Sequence, residues 1–290
     1  MLVAFLYAGA SNQAFAQDLE PRRWTPLPPG LNVAGAGYAA TRGDVFFDPV
    51  LLVEDAELDG HMLGVSYVRS FNIAQKSARI DVTVPWQNLE WTGLLDGEPA
   101  TASRVGLADP WVRLSMILVN RGSGEPGSPG TVVGVALAMG LPLGEYLEGR
   151  LLNVGGNRFV VRTQVGIVHT RGKWAYELTG SAFLYDDNDE FLVNSTLEQD
   201  PLYATQGHII RFFDKPGWWA ALSAGYAWDG ETRVDGVRSD NPKRLFLSAV
   251  SVGFPVGQRQ GLKVTYLRSR TKTDRDADTD SLALAFSHRF

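Results

Sequence analysis

The side chains that could do chemistry are few and scattered. Cysteine is absent, and the histidines are His61, His169, His208 and His288. Without cysteine there is no disulfide, thiolate nucleophile or zinc–thiolate site. No histidine stands at metal-ligand spacing from another His, Asp or Glu on a helix, and neither a Gly-x-Ser-x-Gly elbow nor a phosphate loop occurs. Asp274, Asp276, Asp278 and Asp280 form an alternating acidic string, but an EF-hand loop starting at Asp274 would need glycine and glutamate where Thr279 and Ala285 stand. Asp186-Asp187-Asn188-Asp189-Glu190 fails likewise at Phe191. Both runs fit solvated loops, with a divalent cation shared with lipopolysaccharide phosphates as the sharper alternative. No metal or cofactor is therefore expected. His208, between Gln206 and Ile210 and downstream of Ser195, could belong to a Ser-His hydrolase pair, although spacing does not say that the two residues meet and a lone strand histidine is usually structural.

The elements available to position these groups are strands. Ser281 to Phe290 alternates, with Leu282, Leu284, Phe286, His288 and Phe290 on one parity and small or polar residues on the other. A strand sends such parities to opposite faces of a sheet. Ending on an aromatic residue, the segment resembles the closing strand of bacterial outer-membrane barrels, with Phe286 and Phe290 as its membrane-insertion signal and the barrel assembly machinery as an implied partner. The same division recurs upstream. Ile80, Val82, Val84 and Trp86 oppose Arg79, Asp81 and Thr83; Val112, Leu114 and Met116 oppose Arg113 and Ser115. Val161, Val165 and Ile167 oppose Arg162 and Gln164; Trp174, Tyr176 and Leu178 oppose Glu177 and Thr179; Val264 and Tyr266 oppose Lys263 and Thr265. An Arg or Lys facing lipid at the midplane costs about 2–4 kcal/mol, so the polar parity belongs to the lumen. The pore-lining candidates are Arg79, Asp81, Arg113, Arg162, Gln164, Glu177 and Lys263. A soluble sandwich with the charges in water is the competing interpretation.

Twelve segments have strand-like composition: 31–41, 60–71, 78–91, 105–119, 131–142, 157–169, 174–185, 201–213, 218–228, 245–256, 262–269 and 281–290. Most approach the roughly 9–11 residues that a tilted strand needs to cross a bilayer. Long and short gaps alternate almost throughout, with Asn120 to Gly130 over-long for a turn; an up-and-down barrel with short periplasmic turns gives this alternation. Segments 201–213 and 245–256 support either phase. Aromatics near segment ends (Trp86, Trp91, Trp111, Trp174, Trp218, Trp219, Trp228, Tyr226 and Phe290) suggest interfacial girdles. In 290 residues with 31 glycines no apolar run reaches the length of a membrane helix, and the net charge of −5 lacks the footprint of a nucleic-acid binder.

The expected organisation is a signal peptide over 1–16, an irregular segment over 17–30 and an all-β, single up-and-down antiparallel transmembrane β-barrel of about 12 strands over 31–290. Leu2 to Gly9 is apolar and Ala14-Phe15-Ala16 fits a cleavage site before Gln17, although the usual Lys or Arg is missing ahead of it. Location in the bacterial outer membrane follows.

Several stretches carry a more specific likeness: Ala36-Gly37-Tyr38, Phe47-Asp48-Pro49, Tyr67-Val68-Arg69-Ser70-Phe71, Gly106-Leu107-Ala108-Asp109-Pro110, Asp187-Asn188-Asp189-Glu190-Phe191 and Gln206-Gly207-His208 among them. With these the chain resembles outer-membrane transporters of the family named for the meta-pathway of phenol degradation, from about residue 30 to the end. The resemblance implies an outer-membrane barrel linked to aromatic degradation, defines no substrate and carries over no binding residues. Twelve strands should leave a narrow pore. The expected function is passive uptake of small, hydrophobic or aromatic molecules, with no enzymatic activity. Inward Arg and Lys would favour anions such as aromatic carboxylates, or else form a paired ladder that plugs or stiffens the lumen. The alternatives are an outer-membrane hydrolase and a structural or adhesive barrel. Membrane lipid, lipopolysaccharide and a small-molecule substrate are the expected partners, and nucleic acid is not.

Overall fold

The computed structural model describes residues 19–46, 53–95, 97–122, 129–150, 152–273 and 276–290. The expected signal peptide, the Phe47-Asp48-Pro49 motif and Asp274 lie outside them. In chain order the strands are β1 (Asn32–Phe46), β2 (Val53–Ile73), β3 (Lys76–Leu95), β4 (Glu98–Leu107), β5 (Trp111–Arg121), β6 (Gly130–Gly140), β7 (Val160–Arg171) and β8 (Trp174–Tyr185). There follow β9 (Asn188–Phe191), β10 (Ser195–Gln199), β11 (Leu202–Phe212), β12 (Trp219–Asp229), β13 (Thr232–Val234), β14 (Val237–Arg238), β15 (Lys243–Pro255), β16 (Gln260–Thr271) and β17 (Asp276–Arg289).

These form a closed 12-stranded antiparallel barrel in which β4 and β5 share one stave, while β9, β10, β13 and β14 make a separate four-stranded sheet. β1 pairs with β2 on one side and with β17 on the other, from Val33 opposite Arg289 to Phe46 opposite Asp276. At the seam Asn32 and Phe290 exchange both backbone hydrogen bonds, at 3.1 and 2.9 Å. Pairing of β1 with β17 closes the ladder around the barrel, as a bilayer without water to satisfy stray N–H and C=O groups demands.

Parity assigns the faces as the charges require. Val165, Leu178, Leu222, Leu282 and Leu284 are exposed on the outside, whereas Arg162, Gln164, Glu177 and Thr179 are buried inside. The two ambiguous strands resolve by burial: His208 and Ile210 of β11, and Leu245, Leu247 and Ala249 of β15, face inward. Of the proposed girdle, Trp86, Trp174, Tyr226, Trp228 and Phe290 are exposed outside. Trp91, Trp111 and Trp219 are corrections. Trp219 is buried in the interior, and Trp91 and Trp111 line the lumen. Each stands on the inward parity of its strand, which outranks its place near a strand end. Trp218 stacks on Phe254 at 4.8 Å beside the turn that joins β11 to β12.

Several expected loops contain strand instead. Residues 42–46 and 53–59 extend β1 and β2, and 92–95 pairs with 98–101 in the tall β3–β4 hairpin. A hairpin standing clear of the bilayer needs no apolar alternation, so its Gly, Pro and Thr composition resembles a loop. Likewise 186–200 contains β9 and β10.

The stave break at Ala108-Asp109-Pro110 has a local cause. Proline cannot donate to a ladder, so β4 pairs with β3 alone while β5 pairs with β3 and β6. The free edge of β4 is covered by the 141–159 segment, where Glu145 N–H donates to the Leu107 carbonyl at 2.7 Å. Asp109 pins that segment by accepting the Gly144 and Gly156 N–H groups at 2.9 and 2.7 Å.

Candidate functional site

The lumen is crossed by the segment before β1. From Leu19 the chain descends inside the barrel, turns at 21–24 and leaves past Ser70 and Ser77, whose hydroxyls donate to the Pro28 and Leu27 carbonyls. Arg22, with φ of +67°, makes the turn possible and sends its own N–H to Glu177 Oε2 at 2.8 Å. We call residues 19–31 the strap.

Trp24 anchors it. The indole is 1% exposed and sits among Val132, Val168, Ala175, Ile210 and Trp219. Its Nε1–H donates to Thr179 Oγ1 at 2.7 Å. Room for the ring comes from Gly134 and Gly166, since a Cβ at either position would run into the indole. Burying a ring that satisfies its only donor gains apolar contact without stranding a polar group.

An ionic network fixes the rest of the strap. Asp81 Oδ2 takes Arg23 Nη2 at 3.0 Å, with Arg79 and Arg113 Nε at 3.5 and 3.6 Å. Glu20 Oε2 takes Arg113 Nη1 at 2.7 Å, and Glu20 N–H donates to Gln206 Oε1 at 3.0 Å. Arg79 Nη2 also donates to the Arg23 carbonyl at 2.9 Å. Each carboxylate thus answers guanidinium groups beside it, which is what allows charges to remain in a partly dehydrated interior.

The sequence candidates fall into three groups. Arg79, Asp81, Arg113 and Glu177 meet the strap. Arg162 lies 4.8 Å under the Phe183 ring centre and, with Gln164, reaches Ser181 Oγ at 3.4 Å. Lys263 stands on β16, between Gly253 of β15 and Ala285 of β17. Glu20, Arg22, Arg23 and Trp24 were missed in the Pro-rich entry segment. The available signal was charge: Glu20-Pro21-Arg22-Arg23-Trp24 supplies opposite partners for the inward Asp81, Glu177 and Arg113.

Beside the strap runs a cavity of about 630 Å3. Its wall on β1, β2 and β17 is rich in small residues, including Gly35, Gly37, Gly64, Ser66, Ala283 and Ala285. Across from them are Leu19, Glu20, Arg113 and Arg162. Under the external sheet its lining becomes an apolar chamber of Leu58, Leu89, Trp91, Leu152, Phe191 and Leu197. Phe191 and Leu197 belong to β9 and β10, so this sheet roofs the mouth. Arg233 and Arg238 bind Asp200 and Glu231 at its rim, and the Arg238 guanidinium hydrogen-bonded to Glu231 holds that carboxyl below the ordinary range.

His208 does not meet Ser195, which lies in β10. Its Nε2–H donates to Gln206 Oε1 at 3.1 Å, a group that can only accept, leaving Nδ1 to accept from Ser223 Oγ at 2.7 Å. Both partners are buried. Of the acidic runs, Asp278 and Asp280 face Arg268 and Arg270, and no group of three His, Asp or Glu able to hold a metal occurs among the described residues.

A closed barrel with an apolar outer belt, charges inside and a roofed mouth is an outer-membrane barrel. The family profile described as "Putative MetA-pathway of phenol degradation" matches residues 35–286, and the chain belongs to that family. Among solved structures it is similar to an outer membrane channel from Pseudomonas putida F1, with a TM-score of 0.80 at 20% identity over 94% of this chain and 100% of that one. More distant likenesses are the transport unit of the autotransporter AIDA-I from Escherichia coli (TM-score 0.54, 11% identity, 98% of each chain) and the translocator domain of NalP from Neisseria meningitidis (TM-score 0.53, 10% identity, 98% of this chain and 96% of that one). At these identities the likenesses show the fold alone. The search of curated proteins gives no match.

Proposed function

We propose that this protein is a passive channel through which small, partly apolar solutes cross the outer membrane between the strap and the small-residue wall. One observation carries this: the cavity lining extends from Thr232 and Ser239 beneath the external sheet to Val33 and Ser287 near the periplasmic ends of β1 and β17. A solute entering the apolar chamber loses water there, then meets glycine, alanine and serine, which offer width and little to bind to. Descent along this wall needs no movement of the strap. The channel from Pseudomonas putida F1 supports conduction, and the family's link to phenol degradation supports the choice of an aromatic solute.

A hydrolase centred on His208 would need a reachable nucleophile. The hydroxyl beside the ring is Ser223, and both side chains lie out of contact with solvent. Flux assays separate these readings and the adhesive one. Refolded protein in liposomes is compared for benzoate, phenol, a neutral sugar and chloride, with phospholipid cleavage followed in the same vesicles. Aromatic flux above that of empty vesicles is the expected result; cleavage without flux would contradict it.

A further inference from the structure

Resting on the channel reading, the structure assigns a single residue to the choice between anions and cations. The inward positions of Val33–Val45 on β1, Leu58–Asn72 on β2, Gly261–Thr271 on β16 and Ala277–Arg289 on β17 hold two ionisable side chains, Lys263 on the cavity wall and Arg289 at the periplasmic end of β17, whose guanidinium donates to the Gln258 carbonyl and does not line the cavity. Its register neighbours are Ala285 and Gly253, too short to reach it. The other charges on the mid-lumen cavity are spoken for: Arg113 by Glu20 and Asp81, Asp81 also by Arg23 and Arg79, and Arg162 by Phe183 and Ser181. Lys263 lines the same cavity with no carboxylate within ion-pair distance among the described residues.

We propose that Lys263 is the anion-selecting station of the conduit and that the solutes it favours are small amphipathic monoanions, such as aromatic carboxylates. A lone ammonium in a narrow passage attracts anions and repels cations, and screening by water is weaker there than in bulk. The apolar chamber above takes the ring of such a solute, and the Gly and Ala wall lets it slide toward the charge. A neutral aromatic uses the chamber and the wall but gains nothing from Lys263. Arg79 and Arg113, equally cationic in the sequence, are committed to the strap network and leave this role to one residue.

The test combines two readouts on the wild type, Lys263→Gln, Lys263→Glu and Lys263→Arg, each first checked for the folded barrel by heat-modifiable migration on a gel. Reversal potential in a potassium chloride gradient reports ion selectivity, and liposome influx is compared for benzoate and benzyl alcohol. Wild type and Lys263→Arg should prefer chloride, Lys263→Gln should lose most of that preference, and Lys263→Glu should reverse its sign. The benzoate to benzyl alcohol ratio should fall on the order of tenfold in Lys263→Gln, about what one partly screened charge contact is worth. Conducting variants that keep the wild-type reversal potential and ratio overturn this assignment and leave the channel standing. A wild-type barrel that passes neither ions nor solute overturns both.

Discussion

The two halves of the lumen wall obey the same alternation and end in opposite states. On β3, β5, β7 and β8 the inward face carries charged and polar side chains that are occupied: Arg79, Asp81 and Arg113 by strap ions, Glu177 by the Arg22 N–H, and Thr179 by the Trp24 indole, for which Gly166 leaves room. On β1, β2 and β17 the inward residues are uncharged along the cavity and mostly small, glycine, alanine and serine interrupted by Val33, Val45, Met62 and Val68, and they line the cavity. The barrel fold permits either. What separates the halves is side-chain volume and charge, so plugging and conduction are written into different staves of one ladder.

Filling the bare half should have the largest effect. A Cβ at Gly64 meets nothing within 4 Å, so Gly64→Trp should fold and place its indole in the passage. Single-channel current should drop on the order of tenfold or more, since a ring leaves little of a cavity this narrow. Emptying the occupied half comes next. Trp24→Ala removes a buried aromatic ring, a change that costs about 3–5 kcal/mol in packed cores. It should free the strap without melting the barrel, whose ladder is untouched. Hydrogen exchange over residues 19–31 should accelerate and the open current should rise severalfold. Gly166→Ala should do the same from the other side, because its Cβ takes the indole's place.

Asp81→Asn should be milder. It leaves Arg23, Arg79 and Arg113 facing one another, but water in the adjacent cavity screens them, so roughly 1–3 kcal/mol of strap docking should be lost. Strap exchange rates in folded protein, compared with Trp24→Ala, give the ranking. The smallest effect concerns the roof. The lowered Glu231 carboxyl means that its contribution is complete above the ordinary glutamate range and disappears as pH falls through the lowered value. Protection at residues 232–239, with the intrinsic pH dependence of amide exchange divided out, should therefore fall in acid, and Arg238→Ala should abolish that change in protection.

The staves were legible because lipid enforces alternation: Leu282, Leu284 and Phe286 had to point out, and Arg162 and Gln164 had to point in. Where the chain leaves the bilayer that pressure ends, so the β3–β4 hairpin and the roof strands β9 and β10 looked like loops. Trp91, Trp111 and Trp219 misled because position near a strand end was weighed above parity. Among the site residues, inward charges could be named from alternation, but not their partners, because Glu20, Arg23 and Trp24 lie in a segment with no period at all. Nothing local distinguishes Lys263 from Arg113; only the three-dimensional neighbourhood shows which one is already paired.

The most direct test of conduction past the strap uses the absence of cysteine. Gly64→Cys places one thiol on the bare wall, and Ala136→Cys places one behind the strap, where Ala136 is 8% exposed beside Trp24. A charged methanethiosulfonate reagent is added while current through a single channel is recorded. Modification should cut the current in Gly64→Cys and leave Ala136→Cys unchanged. Block at Ala136→Cys with none at Gly64→Cys would mean that ions travel through the space the strap fills, and the division of the lumen drawn above would be wrong.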